Sequence, residues 1–203
     1  MAYRKTPEVL RRQLAAREHL LTRATDLVAE TGWAHTTVGA VAAAAEVSVG
    51  SVYQHFPSKS ALAVEVFRRA SGHEVDVLGE TLRGAGEPAA RLARGVALFA
   101  RRALQRPGLA HALLAAPAEP AVGQERLEFR RRYHALFAEV VREGVDAGLL
   151  PPQDPWITAA ALTGAVGEVL VDPVSTPAPG TVEALVAELT AMALRCAGAR
   201  TDS

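Results

Sequence analysis

The sequence predicts an all-α chain of about nine helices, with a three-helix N-terminal head followed by a larger helical body. Three observations carry that expectation. Apolar residues recur at helical spacing in one segment after another. Proline and glycine stand where each periodic run ends. The stretch Thr36 to Leu62 holds two very short helical segments joined by a tight turn, followed by the start of a long helix. With 203 residues the chain has room for one large domain or two small ones and a substantial core.

Residues 1 to 7 read as a flexible arm carrying Arg4 and Lys5. From about Glu8 to Thr31, Leu14, Leu20, Leu21, Ala24, Leu27, Val28 and Thr31 keep helical period, and Gly32 stops the run. Trp33 is expected to bury its ring at this junction rather than to meet a ligand. Thr36 and Thr37 are N-cap residues for a segment whose Val38, Val41, Ala42 and Ala45 share one face. Glu46, Val47 and Ser48 break that segment. Ser48 then caps a second one, in which Val52 and Phe56 stand at i and i+4 and point inward. The other side of this second segment shows Val49, Gly50, Ser51, Tyr53, Gln54 and His55, a small, hydroxyl-rich and aromatic surface on which Gly50 lets another backbone come close. Pro57 ends the segment, and Ser58 caps the next helix with Lys59 in its first turn. A lysine there opposes the helix dipole, a conflict that a nearby phosphate resolves. Two short helices and a turn of this kind are the pattern of a DNA-reading helix-turn-helix.

The body follows as six more segments. One helix continues from Leu62 through Val66, Phe67 and Ala70 toward Leu82, and residues 84 to 88 connect it to an amphipathic run with Leu92, Val96, Phe99 and Leu104. A short apolar piece, Leu109 to Leu114, precedes a loop with Pro117 and Pro120. A long helix from about Val122 to Ala147 carries Phe129, Tyr133, Leu136 and Phe137. Its Arg130, Arg131 and Arg132 read as a solvated, ion-paired face beside Glu125, Glu128 and Glu139. The two final helices, about 155–171 and 181–197, are the most apolar. Small residues at Ala160, Ala161, Gly164 and Gly167 permit close helix approach, so the pair suits a four-helix interface between two copies of the chain.

Formal net charge is zero, but the division is uneven. Through Gly72 there are nine basic residues against six acidic ones, an excess of +3 where the reading head lies, and −3 beyond it. Cys196 is the only cysteine, which excludes an intrachain disulfide and suits a reducing compartment. No apolar run is expected to reach the roughly eighteen residues of a membrane span, and Met1 to Leu14 is polar rather than signal-like, so a cytoplasmic location without membrane contact is expected.

The run Thr36-Thr37-Val38, Val41-Ala42, Ala45, Val47-Ser48, Gly50, Val52-Tyr53, His55-Phe56, Ser58-Lys59 and Leu62 resembles the DNA-binding domain of the TetR family of bacterial transcriptional regulators. The likeness is dense over about fifty residues, a quarter of the chain. One departure is Glu46, which occupies the turn position where the family usually has glycine. The resemblance implies a DNA-binding head over residues 1–60 and a ligand-binding and dimerisation body over 61–203. It implies a repressor that binds an inverted-repeat operator in double-stranded DNA as a homodimer and is released by a small, largely apolar ligand. By the same resemblance Thr37, Tyr53, His55 and Lys59 hold phosphates while Val49, Gly50, Ser51 and Gln54 face the bases, with Thr36 and Ser48 completing the DNA-binding set. The residue chemistry agrees, since lysine and hydroxyls suit phosphate, Gln54 suits adenine, and Val49 suits a thymine methyl.

The ligand cavity is expected between helices from about Glu87 to Val171, lined by Phe99, His111, Tyr133, Phe137, Trp156 and Glu168. Glu168 is the sharpest of these, because a lone carboxylate in an apolar helix needs a partner or solvent. No cofactor is implied. His111 and His134 lack a third ligand at recognisable spacing, which argues against a metal site. The competing classes are an enzyme and a helical small-molecule-binding or interaction protein without specific DNA binding. Ser48, Ser51 and His55 are close in sequence but have no nucleophile elbow beside them, and capping accounts for Ser48. The intact Tyr53, His55 and Lys59 argue against loss of DNA binding.

Overall fold

Nine α-helices occupy residues 6–115, 120–175 and 182–199, which are the residues described by the structure, a computed structural model. Met1, Arg4, Lys5 and Pro117, named above, lie outside them, as does the first position of the segment 181–197. Helix α1 (Pro7–His35) starts at the cap Thr6 and is interrupted at Gly32, whose φ of 74° marks the expected stop and sets off a last short turn. Its buried face is Leu20, Leu21, Ala24 and Val28. Trp33 is buried at the turn that follows.

Helices α2 (Val38–Ala44) and α3 (Val49–His55) are each seven residues long, and each begins at a hydroxyl cap. Thr37 Oγ1 accepts from the Ala40 amide at 3.1 Å, and Ser48 Oγ accepts from the Ser51 amide at 3.1 Å. Helices this short are not stable alone. They are held by Val41, Val52 and Phe56, all buried in the cluster that includes Leu21 and Val66. The turn between them is a Schellman motif, with the Val47 amide bonded to the Ala42 carbonyl and the Glu46 amide to that of Ala43. Two further helix ends close the same way through Gly148 and Gly198, but here the left-handed position, φ 56°, is filled by Glu46. A side chain in that region is strained by about 1–2 kcal/mol, against an entropy cost of about 0.5–1 kcal/mol for glycine. Glu46→Gly is therefore expected to stabilise the fold by about 0.5 to 1 kcal/mol in urea titration; a loss would mean that the glutamate makes an interaction outweighing its strain.

Helix α4 (Lys59–Leu82) opens at Ser58, whose hydroxyl accepts from the Ala61 amide at 3.0 Å, and runs unbroken from the head into the body. It packs on α1 at its start and on α5 (Pro88–Gln105) and α7 (Pro120–Asp146) further along. Its ties to the head are Arg17 to Glu65 and Arg69 to Glu18; its ties to the body are Arg68 to Glu125 and Glu74 to Arg102. Arg17 also lies 5.0 Å from the Phe56 ring centroid, so this arginine joins α1 to the end of α3 as well as to α4. Helix α6 (Pro107–Leu114) rests against α1 on one side and α8 (Pro155–Ser175) on the other, and α9 (Val182–Cys196) covers α5.

Helix α8 corrects one expectation. By length and composition it is apolar enough to cross a membrane, since Glu168 and Asp172 interrupt the run without lowering its mean hydropathy below 1.4. One stripe, Thr158, Ala159, Leu162, Val166 and Leu170, is buried within the chain. The opposite stripe, with Ile157 at 69% exposure, Ala161, Gly164 and Val169, is uncovered.

Candidate nucleic-acid interface and ligand cavity

The outer face of α3 presents Val49, Gly50, Tyr53 and Gln54, all exposed, with Ser51 and His55 partly so. Tyr53 is half-exposed although its neighbour Val52 is fully buried, so the helix separates an inner apolar edge from an outer polar one. A methyl added at Gly50 would meet only Ser48 Oγ, at 3.7 Å. Nothing among the described residues requires glycine there. Ser48 and Ser51 also share a 2.9 Å contact between their hydroxyls.

Thr37 stands at the start of α2, exposed, and its hydroxyl oxygen accepts from the Ala40 amide. Lys59 is the first residue of α4, partly exposed beside the Ser58 cap. Thr36 is placed differently from the rest of the set: it is buried, and its hydroxyl donates to the Gly32 carbonyl at 2.9 Å. It braces the kink at the end of α1, so its hydroxyl is not part of the outer surface.

Below the head a cavity of about 1030 Å³ opens between α4, α5, α6, α7 and α8. Phe99, Tyr133, Phe137 and Glu168 line it. The Phe99 and Tyr133 rings meet edge to face with centroids 5.7 Å apart. His111 lies outside the lining, its Nδ1 2.8 Å from Ser175 Oγ, and so does Trp156, half-exposed and set edge-on to His134. Glu168 is exposed to solvent at the edge of the cavity.

Three parts of the cavity were not visible in the residue pattern. Helix α4 supplies a whole wall, including Phe67, Ser71 and Leu78, where the sequence reading began the cavity only at Glu87. Glu74 and Arg102 face each other across it in a two-bond pair, both contacts 2.7 Å, and the carboxylate holds the guanidinium's proton more firmly than usual. Burial, and then the charge of Glu74, push the Tyr133 phenol up, so it stays a neutral O–H donor beside that pair. Arg126 enters from α7, half-buried; burial and then the neighbouring Arg130 weaken its hold on its proton. Of the arginine run, Arg131 pairs with Glu128, and Arg132 pairs with Asp76 and lies 4.7 Å from the Phe129 ring centroid. Arg130 instead faces the cavity and has no ion pair among the described residues. No group of three or more metal-ligating side chains occurs among the described residues.

Comparison with known proteins finds matches in two stretches of the chain. Residues 20–66 match the family model described as bacterial regulatory proteins, tetR family, and residues 85–170 match a tetracyclin repressor-like C-terminal domain. The HTH-type transcriptional repressor DhaR of Mycobacterium sp. (strain GP1) is 35% identical over 75 residues, which are 37% of this chain and 38% of that protein. Among solved structures, the fatty acid degradation regulator FadR from Bacillus halodurans superposes with a TM-score of 0.75 at 22% identity, covering 87% of this chain and 97% of that one. FadR from Bacillus subtilis in complex with stearoyl-CoA gives a TM-score of 0.77 at 17% identity, over 87% and 96%.

Proposed function

Because the chain belongs to the TetR family of bacterial regulatory proteins, we propose that it is a cytoplasmic transcriptional repressor that reads an inverted-repeat operator as a homodimer and releases it when a small molecule fills the cavity. The observation that supports this best is the outer face of α3. Gly50 is open there for no internal reason, and Tyr53 and Gln54 are exposed beside the capping hydroxyls of Thr37 and Ser48. Hydroxyls and Lys59 suit phosphates, while Gln54 and Val49 suit base edges and a thymine methyl. The reading helix carries no arginine, so guanine readout from it is weak and groove shape contributes to selection.

The division of labour we infer puts DNA reading in residues 1–60 and ligand binding and dimerisation in 61–203, with α4 spanning the boundary. The uncovered stripe of α8 supports a dimer through α8 and α9: Ile157 and Val169 are exposed, as is Val182 at the start of α9. Methyls added at Gly164 and Gly167 would touch nothing, which leaves room for a second helix. A C2 dimer sets two copies of α3 into major grooves on one side of the duplex, about 34 Å apart or a related spacing.

Genomic fragments captured by the purified protein at about 0.15 M salt, then footprinted, test this reading. The expected result is a protected inverted repeat whose affinity falls steeply with salt. A sound dimer that prefers no fragment, with or without a cavity ligand, would instead favour a helical small-molecule-binding protein.

A further inference from the structure

Four hydroxyl-bearing side chains line the cavity, and they are not alike. Thr25 donates to the Leu21 carbonyl at 2.7 Å and Thr163 to the Ala159 carbonyl at 2.9 Å, each one turn back on its own helix. Ser71 and Tyr133 make no hydrogen bond among the described residues. A serine on a helix can still turn its hydroxyl to the carbonyl of the preceding turn. Tyr133 cannot. Its O–H stands at the far end of a flat ring, set edge to face with Phe99 at 5.7 Å between centroids, too far from its own backbone to find an acceptor there.

The carboxylate beside it is already engaged. Burial, and then the charge of Glu74 on α4, keep the phenol protonated, yet both oxygens of Glu74 receive Arg102, each at 2.7 Å. Tyr133 is therefore a neutral O–H donor on an apolar wall, and the group that accepts from it comes with whatever fills the cavity.

The same neighbours restrict that acceptor. A carboxylate or phosphate oxygen at the phenol would meet the negative charge of Glu74. An ammonium has no lone pair to accept with. The arginines of the wall are turned to other groups: Arg68 to Glu125, Arg69 to Glu18 and Arg106 to Asp26, while Arg126 donates through Nε to the Leu113 carbonyl at 3.0 Å and through Nη2 to the Ala112 carbonyl at 3.2 Å. A carbonyl oxygen meets these conditions, since it has two lone pairs, no net charge and no proton of its own to place. Around it, Phe99, Phe137, Leu109 and Leu113 offer apolar surface to the rest of the molecule.

We propose that the cavity takes a neutral, largely apolar carbonyl compound, such as a ketone or an ester, whose oxygen accepts a hydrogen bond from Tyr133. This names the ligand class of the regulator reading and rests on that reading only for the effect on DNA. Tyr133 is the specificity residue, and the pair of Glu74 and Arg102 beside it turns charged acceptors away.

The test uses octanophenone, octylbenzene and 4-octylbenzoate with the full-length protein. The first two differ by a carbonyl in place of a methylene, and the third carries a negative charge. Calorimetry measures binding to the natural chain and to Tyr133→Phe, which keeps the ring and removes only the hydroxyl. The substitution is expected to weaken octanophenone about ten-fold and to leave octylbenzene within about two-fold, the second result showing that the cavity is intact. The infrared carbonyl stretch of isotopically labelled octanophenone is expected to fall in frequency on binding and to return toward its value in hydrocarbon with Tyr133→Phe, a change that altered packing alone would not produce. The benzoate is expected to bind at least about ten-fold more weakly than the ketone. Equal loss of octanophenone and octylbenzene, a carbonyl band that the substitution does not move, tighter binding of the benzoate, or no binding of the ketone would each overturn the proposal. Octanophenone is also expected to lower the affinity of the natural chain for duplex DNA. If the protein binds no duplex, or binds it equally with the ketone present, the regulator reading fails, while calorimetry and the infrared band still decide the carbonyl site.

Discussion

Gly108→Ala is expected to cost about 3 kcal/mol of folding stability, the upper end for an overpacked core. A Cβ at Gly108 would lie 1.9 Å from the Ala29 carbonyl oxygen and 3.1 Å from its carbon. These are backbone atoms of α1, which no change of rotamer can move aside. Relief requires α6 to back away from α1, and that motion stretches the Trp33 to Ala112 hydrogen bond and the Arg106 to Asp26 ion pair together. Urea unfolding of the substituted chain measures the loss. A change within about 0.5 kcal/mol, the range of ordinary surface substitutions, would show that α6 is free to shift and that the close approach at Gly108 does not fix it.

The second large effect concerns DNA rather than stability. Tyr53→Ala combined with Lys59→Ala is expected to lower operator affinity at least 100-fold at about 0.15 M salt, and to reduce the salt slope by about one for the lost lysine contact. Tyr53 is half-exposed and Lys59 partly exposed, so the thermal midpoint is expected to stay within about 2 °C. Binding isotherms at several salt concentrations, with sedimentation as a check on the dimer, separate the outcomes. A dimer that falls apart would contradict the division between a reading head and an associating body.

The head was legible because its signals are local. Thr37, Ser48 and Ser58 each cap the helix that begins one residue later, and Val52 and Phe56 turn inward one helical turn apart. Glu46 announced its positive φ by standing where a glycine was expected. The body's helices were legible too, because proline and glycine mark their ends.

The cavity was only partly so. Phe99, Tyr133 and Phe137 lie on apolar stripes that helical periodicity finds, whereas His111 and Trp156 were chosen by residue type alone. Period says which residues share a face but not which neighbour that face meets. His111 meets Ser175, 64 positions away, and Trp33 meets Ala112 across 79. Arg126 was hidden for a further reason: its partners include main-chain carbonyls, which look alike at every position of the sequence. A charge run such as Arg130 to Arg132 reads as one solvated face, yet helical geometry sends its first member into the cavity and the other two toward Asp76 and Glu128.

Helix α4 has no proline and no break over its 24 residues. It is thus a rod of about 36 Å, and pivoting it by about 5° at the Leu82 end sweeps its Lys59 end through about 3 Å. That arc is close to the rise of one base pair along a strand. In the regulator proposed above, a disturbance too small to unfold anything near the cavity would be magnified by this single element, at the duplex, into an error of one step in register.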